Sequence, residues 1–492
     1  MSTDEISRDQ ACRAFGIIAA AQVLLWTFVP ALTFDSPPLD VTENIMWGRE
    51  WLWGTYKHPP LQAWITELAL IFSGNLVIGI YLVSQLCIVL TWLALFMFAL
   101  KVSTPRTAIL SVFFFSIVYY STVPSVEFNA NVIQMPIWAW SFYLLWLCLQ
   151  ENRLRDWLLL GLVGALAVYA KYSAALLFLT WLAALVAHWP FRKILSNPSM
   201  WAGVIVAAVL VAPHLYWLHA SGYQPLHYAE ARSLPATGAG RVLLPLKFLA
   251  TQALDHTAIF VIILCLGGLA AFRWFSFRTV LQHPAGRMIN IAAFTPLLLA
   301  VFFAVMRGVQ LKDMWGAPMV AMISLWLAMQ VPTSIPAWRT RLALNLGVTL
   351  VILTAMGLGV ISLLGPSIGI KPQKTSWPQA RIVAEVKEIW EEHVGAAPLR
   401  IVGGPTWPAA LIVAGLERAA SGFVDCSLEK NPWITIERLG NQGMMVVWSG
   451  SEETDCLSAM RVDKRGMLSV KPFGGIKPIQ IFWALQKPEV GG

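Results

Sequence analysis

Apolar stretches long enough to cross a bilayer recur through the first three quarters of this chain, and they restrict its fold more than any motif does. Inside hydrocarbon every backbone N–H and C=O must find a partner within the protein, so stretches of about 20 apolar residues fold as helices. Read with that window, spans fall near 14–34, 78–100, 106–124, 129–149, 157–171, 173–189, 201–218, 247–272, 287–306, 314–331 and 342–364. The count is about eleven, which predicts a polytopic α-helical membrane domain over residues 1–364. The stretch 14–34 is too long for a signal-peptide core and lacks a small-residue cleavage site, so it is expected to remain as an anchor. Composition agrees: 57% of the residues are hydrophobic and 13% charged, against about 25% charged in an average soluble protein.

Charge is unevenly spread. Residues 365–492 hold 27 of the 62 charged side chains, as a soluble tail behind a membrane body would. Basic residues mark alternate connectors: Arg8 and Arg13, Lys101 and Arg106, Arg153 and Arg155, Arg192 and Lys193, Arg273, Arg278 and Arg287, then Arg339 and Arg341. Excess Lys and Arg identify the cytoplasmic side. An odd number of spans then puts 35–77, 125–128, 219–246, 307–313 and the tail outside, which for a multi-pass protein of a bacterial inner (plasma) membrane would be the periplasm. The same rule explains the net charge of +8, so nucleic acid is excluded as a partner. Arg49, Lys57, Arg232, Arg241, Lys247, Arg307 and Lys312 lie on the outer side against that trend and favour a ligand with negative charge.

The tail alternates element types, with helical spacing at 377–393 and 406–416, a short apolar run at 399–402, and β-rich runs at 444–448 and 479–485. A small periplasmic α/β domain is expected. Cys426 and Cys456 both fall in it and would pair if the tail is exported, although two cysteines supply no spacing pattern to check. Cys12, Cys87, Cys148 and Cys265 lie in or beside apolar stretches, where a thiol behaves as a small hydrophobe. The chain has no nucleotide-binding glycine loop, zinc-type Cys/His cluster or nucleophile elbow.

The densest chemistry is in the first outer loop, DSPPLDVTENIMWGREWLWGTYKHPPLQAWI, which starts at Asp35 and is too polar to span. A helix is expected to start near Asp40, with Val41, Ile45 and Leu52 on one side, Asp40, Glu43 and Trp47 on another, and Trp47 and Trp51 turned to the membrane interface. Asp40-x-x-Glu43 also has capping-box spacing, so both carboxylates can equally be helix-start chemistry. Lys57-His58-Pro59-Pro60 must be extended, because a residue before proline is driven out of helical geometry, and Lys57 is thereby held at a corner. His58 is read as a packed residue bordering that corner. The loop at 219–246 is Gly/Pro-interrupted, fit for a lid or an ordered plug, with His227, Tyr228 and Glu230 in reserve.

The loop resembles the first periplasmic loop of the GT-C membrane glycosyltransferases, the superfamily of protein O-mannosyltransferases and lipid A aminoarabinose transferases. The resemblance rests on Asp40, Glu43, Trp47, Gly54, Tyr56, Lys57, His58, Pro59, Pro60, Leu61 and Trp64, and departs from the superfamily's Asp-Glu pair in having Val41 after Asp40. It is nearest the branch of polyprenyl-phosphate-dependent galacturonosyltransferases of lipopolysaccharide. Weaker likenesses follow at Glu127-Phe128-Asn129-Ala130-Asn131, at Lys171-Tyr172-Ser173 and at Lys312-Asp313-Met314-Trp315-Gly316-Ala317-Pro318. At each the structural alternative is as good, since a lysine at a span end snorkels and an asparagine near a helix start caps.

The resemblance implies a polyprenyl-phosphate sugar as donor, a lipid or glycan as acceptor, and a site at the membrane–water boundary. Such a leaving group needs charge stabilisation more than a proton, unlike a glycosidase substrate. One carboxylate should take the acceptor's proton and cations should receive the phosphate. Asp40, with Glu43, is the expected catalytic acidic group; Lys57, Lys171, Lys312 and Arg307 are the expected phosphate ligands; His58, Tyr56, Trp47, Glu127 and Asn131 are expected to line the substrate. A divalent cation on Asp40, Glu43 or Glu127 is compatible with these residues but not required, because lysines neutralise the same charge, and no other cofactor is called for. For a uronic acid, Arg232 or Arg241 could take its carboxylate, unless they only solvate the loop. A secondary transporter fits the span count but places its polar groups at the midplane and shows repeated halves. A ligase or polymerase of polyprenyl-diphosphate-linked glycans would share the lipid and use other loops.

Overall fold

The computed structural model describes residues 6–232, 237–450, 453–475 and 477–489; residues 233–236 of the 219–246 loop lie outside them. The chain divides into two compact units. One comprises Met1–Thr27, Lys57–Leu61 and Leu82–Ala355, and the other Phe28–Tyr56, Gln62–Tyr81 and Met356–Gly492.

The protein is a polytopic α-helical membrane protein. Among the described residues six helices are long and apolar enough to cross a bilayer: Arg8–Thr33, Ile78–Val102, Ala130–Glu151, Pro198–Ala220, Gly286–Arg307 and Ala337–Ile368. The number reaches eight if two bent pairs each count once, Pro105–Ser116 with Tyr119–Val126 (82°) and Gly240–Leu254 with Thr257–Arg273 (50°). The remaining three expected spans are helical but short. Leu154–Ala170 stops after 17 residues, where Lys171 takes an extended backbone (φ −169°, ψ 147°), and Ala174–His188 has 15. The stretch expected at 314–331 becomes a 3-10 turn, Asp313–Met319, and the eight-residue helix Ala321–Ala328. The break at Lys171-Tyr172-Ser173 falls where the expected spans 157–171 and 173–189 divide, whereas Pro318 is a small interruption in a run that still reads as hydrophobic.

Small residues let the helices of this unit approach. A Cβ on Gly161 would stand 2.2 Å from the carbonyl oxygen of Gly203, and one on Gly203 would stand 2.4 Å from that of Trp157, so Leu154–Ala170 and Pro198–Ala220 meet backbone to backbone. Buried amides satisfy one another: Gln22 Nε2 donates to Gln85 Oε1 at 2.9 Å and to the Ser121 carbonyl at 2.8 Å.

The second unit is built on a five-stranded sheet: β1 (Ile401–Gly404), β2 (Ser421–Val424), β3 (Met444–Trp448), β4 (Lys464–Val470) and β5 (Ile479–Gln486), in the order β2-β1-β3-β5-β4. β1 runs parallel to β2 and β3, with Val402 opposite Gly422 and Met445; β5 is antiparallel to β3 and β4. Helices Gln379–Val394 and Thr406–Gly415 complete the expected α/β pattern. Ile401, Phe423, Met444, Val446, Trp448 and Ala484 form a buried core, closed by the disulfide Cys426–Cys456.

Apart from Lys57–Leu61, the first outer loop belongs to this same unit. Its helix Leu39–Gly48 packs along Thr406–Gly415, and Met46 lies so close under β2 that a Cβ on Gly422 would stand 2.0 Å from its sulfur. Trp47 is therefore a core residue, 1% exposed, instead of an interfacial one, with Tyr56 edge-on at 6.0 Å. Trp51 stays exposed. A 3.6-residue period shows that Trp47 faces something; it does not show whether that something is lipid or a tail more than 350 residues downstream.

Candidate active site

In the membrane unit, the cluster starts from the break after Leu154–Ala170. The Lys171 N–H still donates to Ala167 O at 3.1 Å, but the extended backbone turns the side chain away from the helix. Its Nζ donates to Asn131 Oδ1 at 2.7 Å and lies 5.4 Å from the centroid of the Trp315 ring. Asn131 is fixed by the start of Ala130–Glu151, where Asn129 caps the helix by accepting from the Asn131 and Val132 N–H groups. One turn on, Gln134 Oε1 accepts from Ser173 Oγ at 2.6 Å, so two residues of one helix face hold the Lys171–Ser173 link. Trp315 is carried by the Asp313–Met319 turn, which Tyr120 and Gln252 anchor through the Asp313 carbonyl at 2.7 and 3.1 Å.

Lys57 and His58 join this cluster. Burial, and then the charges of Lys57 and Lys171, hold the His58 imidazole well below its usual pKa, so the ring is neutral beside two ammonium groups. Pro59 and Pro60 are buried, and the chain bends at Lys57 and His58 outside any helix or strand.

Other expected members lie elsewhere or contribute less. Lys312 precedes the Asp313–Met319 turn, half-buried, and Arg307 is exposed in the last turn of Gly286–Arg307. Among the described residues neither side chain makes a hydrogen bond or ion pair; the carbonyl of Met306 is taken by Arg241, at 3.0 Å. Glu127 is half-buried after the 3-10 turn Val123–Val126, two residues before the Asn129 cap. Trp315 and Gln134 were not singled out as site residues from the sequence; the i, i+3 spacing of Asn131 and Gln134 was the available signal for the latter.

In the second unit, Asp40 occupies the first turn of Leu39–Gly48, half-buried, and Glu43 is buried at 3% exposure. The helix starts after Pro38, which has no side-chain cap, so the capping-box reading does not hold: Asp40 lies two residues inside the position it would need. A carboxylate there is favoured by the helix dipole. Tyr56 is buried, with Lys430 Nζ 5.4 Å from its ring centroid; Lys430 also donates to Asp425 Oδ2 at 2.7 Å. Among the described residues no group of three or more His, Cys, Asp or Glu is arranged to hold a metal ion.

The whole-chain fold matches the crystal structure of ArnT from Cupriavidus metallidurans in the apo state with a TM-score of 0.62, over 95% of this chain and 97% of that one, at 13% identity. The fold is of the GT-C type. ArnT bound to undecaprenyl phosphate matches over the same shares, with a TM-score of 0.58 and 13% identity. The family described as dolichyl-phosphate-mannose-protein mannosyltransferase matches residues 57–217, the part of the chain that carries Lys57, His58, Glu127, Asn131 and Lys171. A comparison with curated protein sequences finds no match.

Proposed function

We propose that this GT-C protein transfers a sugar from a polyprenyl-phosphate donor to a hydroxyl of a lipid or glycan acceptor, with inversion at the anomeric carbon. The observation that carries the reading is the Lys57–His58–Lys171 cluster, like charges gathered where helices of a membrane fold begin and end, in the stretch that matches the mannosyltransferase family. The fold neighbour whose structure contains undecaprenyl phosphate supports a lipid phosphate as the anion. In this reading Asp40 accepts the proton of the acceptor hydroxyl as its oxygen attacks the anomeric carbon. The bond from that carbon to the phosphate oxygen breaks, and the departing phosphate gains charge toward Lys57 and Lys171. Neutral His58 can donate an N–H without adding a third cation. Glu43, Trp47, Tyr56, Glu127 and Asn131 line substrate or support these groups, and Lys312 and Arg307 are reserve cations.

The acceptor class we favour is lipopolysaccharide or lipid A, with galacturonic acid as the sugar and the reaction on the periplasmic face of a bacterial inner membrane. The Cys426–Cys456 pair supports an oxidising compartment for the tail. The test is reconstitution of the purified protein with polyprenyl-phosphate galacturonic acid, aminoarabinose and mannose in turn, with wild type beside Asp40→Asn. Asp40→Asn should lower kcat by about 10²–10⁴-fold, the range for loss of a general base. Product at the wild-type rate from folded Asp40→Asn would remove Asp40 from the mechanism, and no transfer from any of the three donors would sink the donor class.

A further inference from the structure

The helix that carries Asp40 is pinned to the C-terminal tail along its whole length. At the entry, the Asp35 and Ser36 N–H groups donate to the Thr375 carbonyl at 2.9 and 3.2 Å, and Ser36 Oγ donates to the Lys374 carbonyl at 2.7 Å. In the middle, Met46 fills the space that Gly422 of β2 leaves open. At the exit stands Arg49. Its guanidinium donates to the carbonyls of Val413 (2.7 Å), Leu416 (3.2 Å), Glu417 (3.2 Å) and Ala420 (3.5 Å), at the C-terminal end of Thr406–Gly415 and in the turn beyond. A cation is favoured there by the helix dipole as well as by hydrogen bonding. Next to it, Glu50 Oε1 accepts from Ser421 Oγ at 2.6 Å, and the same hydroxyl accepts from Arg438 at 2.8 Å. The following surface helix, Leu61–Phe72, is tied in by the ion pair of buried Glu67 with Arg418.

From these contacts we infer that Arg49 is a positioning residue, and that the tail acts as a brace that sets the placement of the Asp40 carboxylate. This deepens the proposed reaction and rests on Asp40 being its base. The two terminal nitrogens of the guanidinium divide these carbonyls, Nη1 taking Val413, Glu417 and Ala420 and Nη2 taking Leu416, a spread that a single ammonium matches only in part. Its side chain starts nine residues, about 13 Å, along the helix from Asp40. A rigid helix of that length transmits a tilt at one end to the other, and an error of about 1 Å in a reacting group lowers a rate about 100-fold.

The experiment is a double-mutant cycle on the full-length reconstituted protein, with Arg49→Met, Asp40→Asn and the double variant, and with kcat and donor KM measured separately. Arg49→Met is expected to lower kcat about 10-fold to 100-fold with donor KM within about 2-fold, and to add nothing in the Asp40→Asn background. Arg49→Lys, which keeps the charge and part of the hydrogen bonding, covers the case in which Arg49→Met does not fold, and should recover kcat to within about 5-fold of wild type. Asp40→Asn active at the wild-type rate would overturn the base assignment itself. An inactive Asp40→Asn together with full activity in Arg49→Met, or with losses that multiply in the double variant, would overturn the brace alone. A rise in donor KM without a fall in kcat would overturn it as well.

Discussion

Lys171 in the membrane unit and Arg49 in the tail unit show two ways to keep a cation inside a protein. Arg49 spreads one charge over four carbonyls and stands beside Glu50, so although burial and Arg418 press its pKa down to about 10, it remains charged and both its terminal nitrogens are engaged. Lys171 donates to a neutral amide and lies close enough to Lys57 and His58 to suppress the charging of an imidazole. The first arrangement closes a structure. The second brings two ammonium groups to one imidazole, and in the proposed reaction it is this arrangement that meets the donor phosphate.

The comparison breaks most visibly at Lys171. Lys171→Met keeps the length of the side chain and removes the charge; we expect kcat/KM for a polyprenyl-phosphate donor to fall about 10²–10³-fold, the scale for losing one electrostatic contact to a developing anion. The fall should include donor KM, in contrast to the kcat-only loss expected at Arg49. Asn131→Ala, which removes only the neutral acceptor, should cost less than Lys171→Met. Equal losses in the two variants would mean that Lys171 holds the Ala130–Glu151 helix in place and does not meet the phosphate.

A smaller effect, on stability, is expected in the tail. The Cys426–Cys456 bond closes a loop of 30 residues, and restriction of the unfolded chain over that length is worth about 3–4 kcal/mol. The paired Cys426→Ser and Cys456→Ser variant should therefore lower the unfolding midpoint of the tail in a denaturant titration followed by its tryptophans. If the Asp40 helix depends on the brace, partial unfolding there should lower kcat before the membrane helices lose their signal. Loss of both signals at one denaturant concentration would show that the two units do not unfold separately.

Which of these features the sequence exposed follows from the range of the interactions. The spans were legible because bilayer thickness imposes a length on apolar runs, and Lys57-His58-Pro59-Pro60 because proline acts on its immediate neighbour. The tail strands β1, β3 and β5 carry apolar runs and were anticipated; β2 and β4 were not. β2 is four residues, Ser421–Val424, half of them Ser and Gly, and β4 is an edge strand whose Lys464, Arg465 and Gly466 are signals against a strand. Lys171 and Asn131 were each marked as candidates, but nothing local tells that residues 40 apart meet. Arg49 was visible only as a basic residue on the wrong side of the charge rule. Its partners lie 364 to 371 residues away, and carbonyl oxygens leave no trace in a sequence.

The two units can also be separated by acid and base, through the smallest of the expected effects. His58 has its folded-state pKa depressed from an ordinary value of 6.5, first by burial and then by Lys57 and Lys171. The unfolded chain therefore takes up a proton that the folded chain refuses; the stability this group confers is present above about pH 6.5 and drains as pH falls below it. Glu50 runs the other way. Burial raises its folded-state pKa above 4.5, against the opposing pull of Ser421, Arg438 and Arg49. Its contribution is complete below that value and is lost as pH rises through the raised one. In a plot of thermal midpoint against pH, His58→Gln should flatten the fall below about pH 6.5, and Glu50→Gln should flatten the loss that sets in above about pH 4.5. An unchanged acid slope in His58→Gln would mean that Lys57 and Lys171 do not crowd the imidazole, and would remove the electrostatic ground for an anion site at that corner.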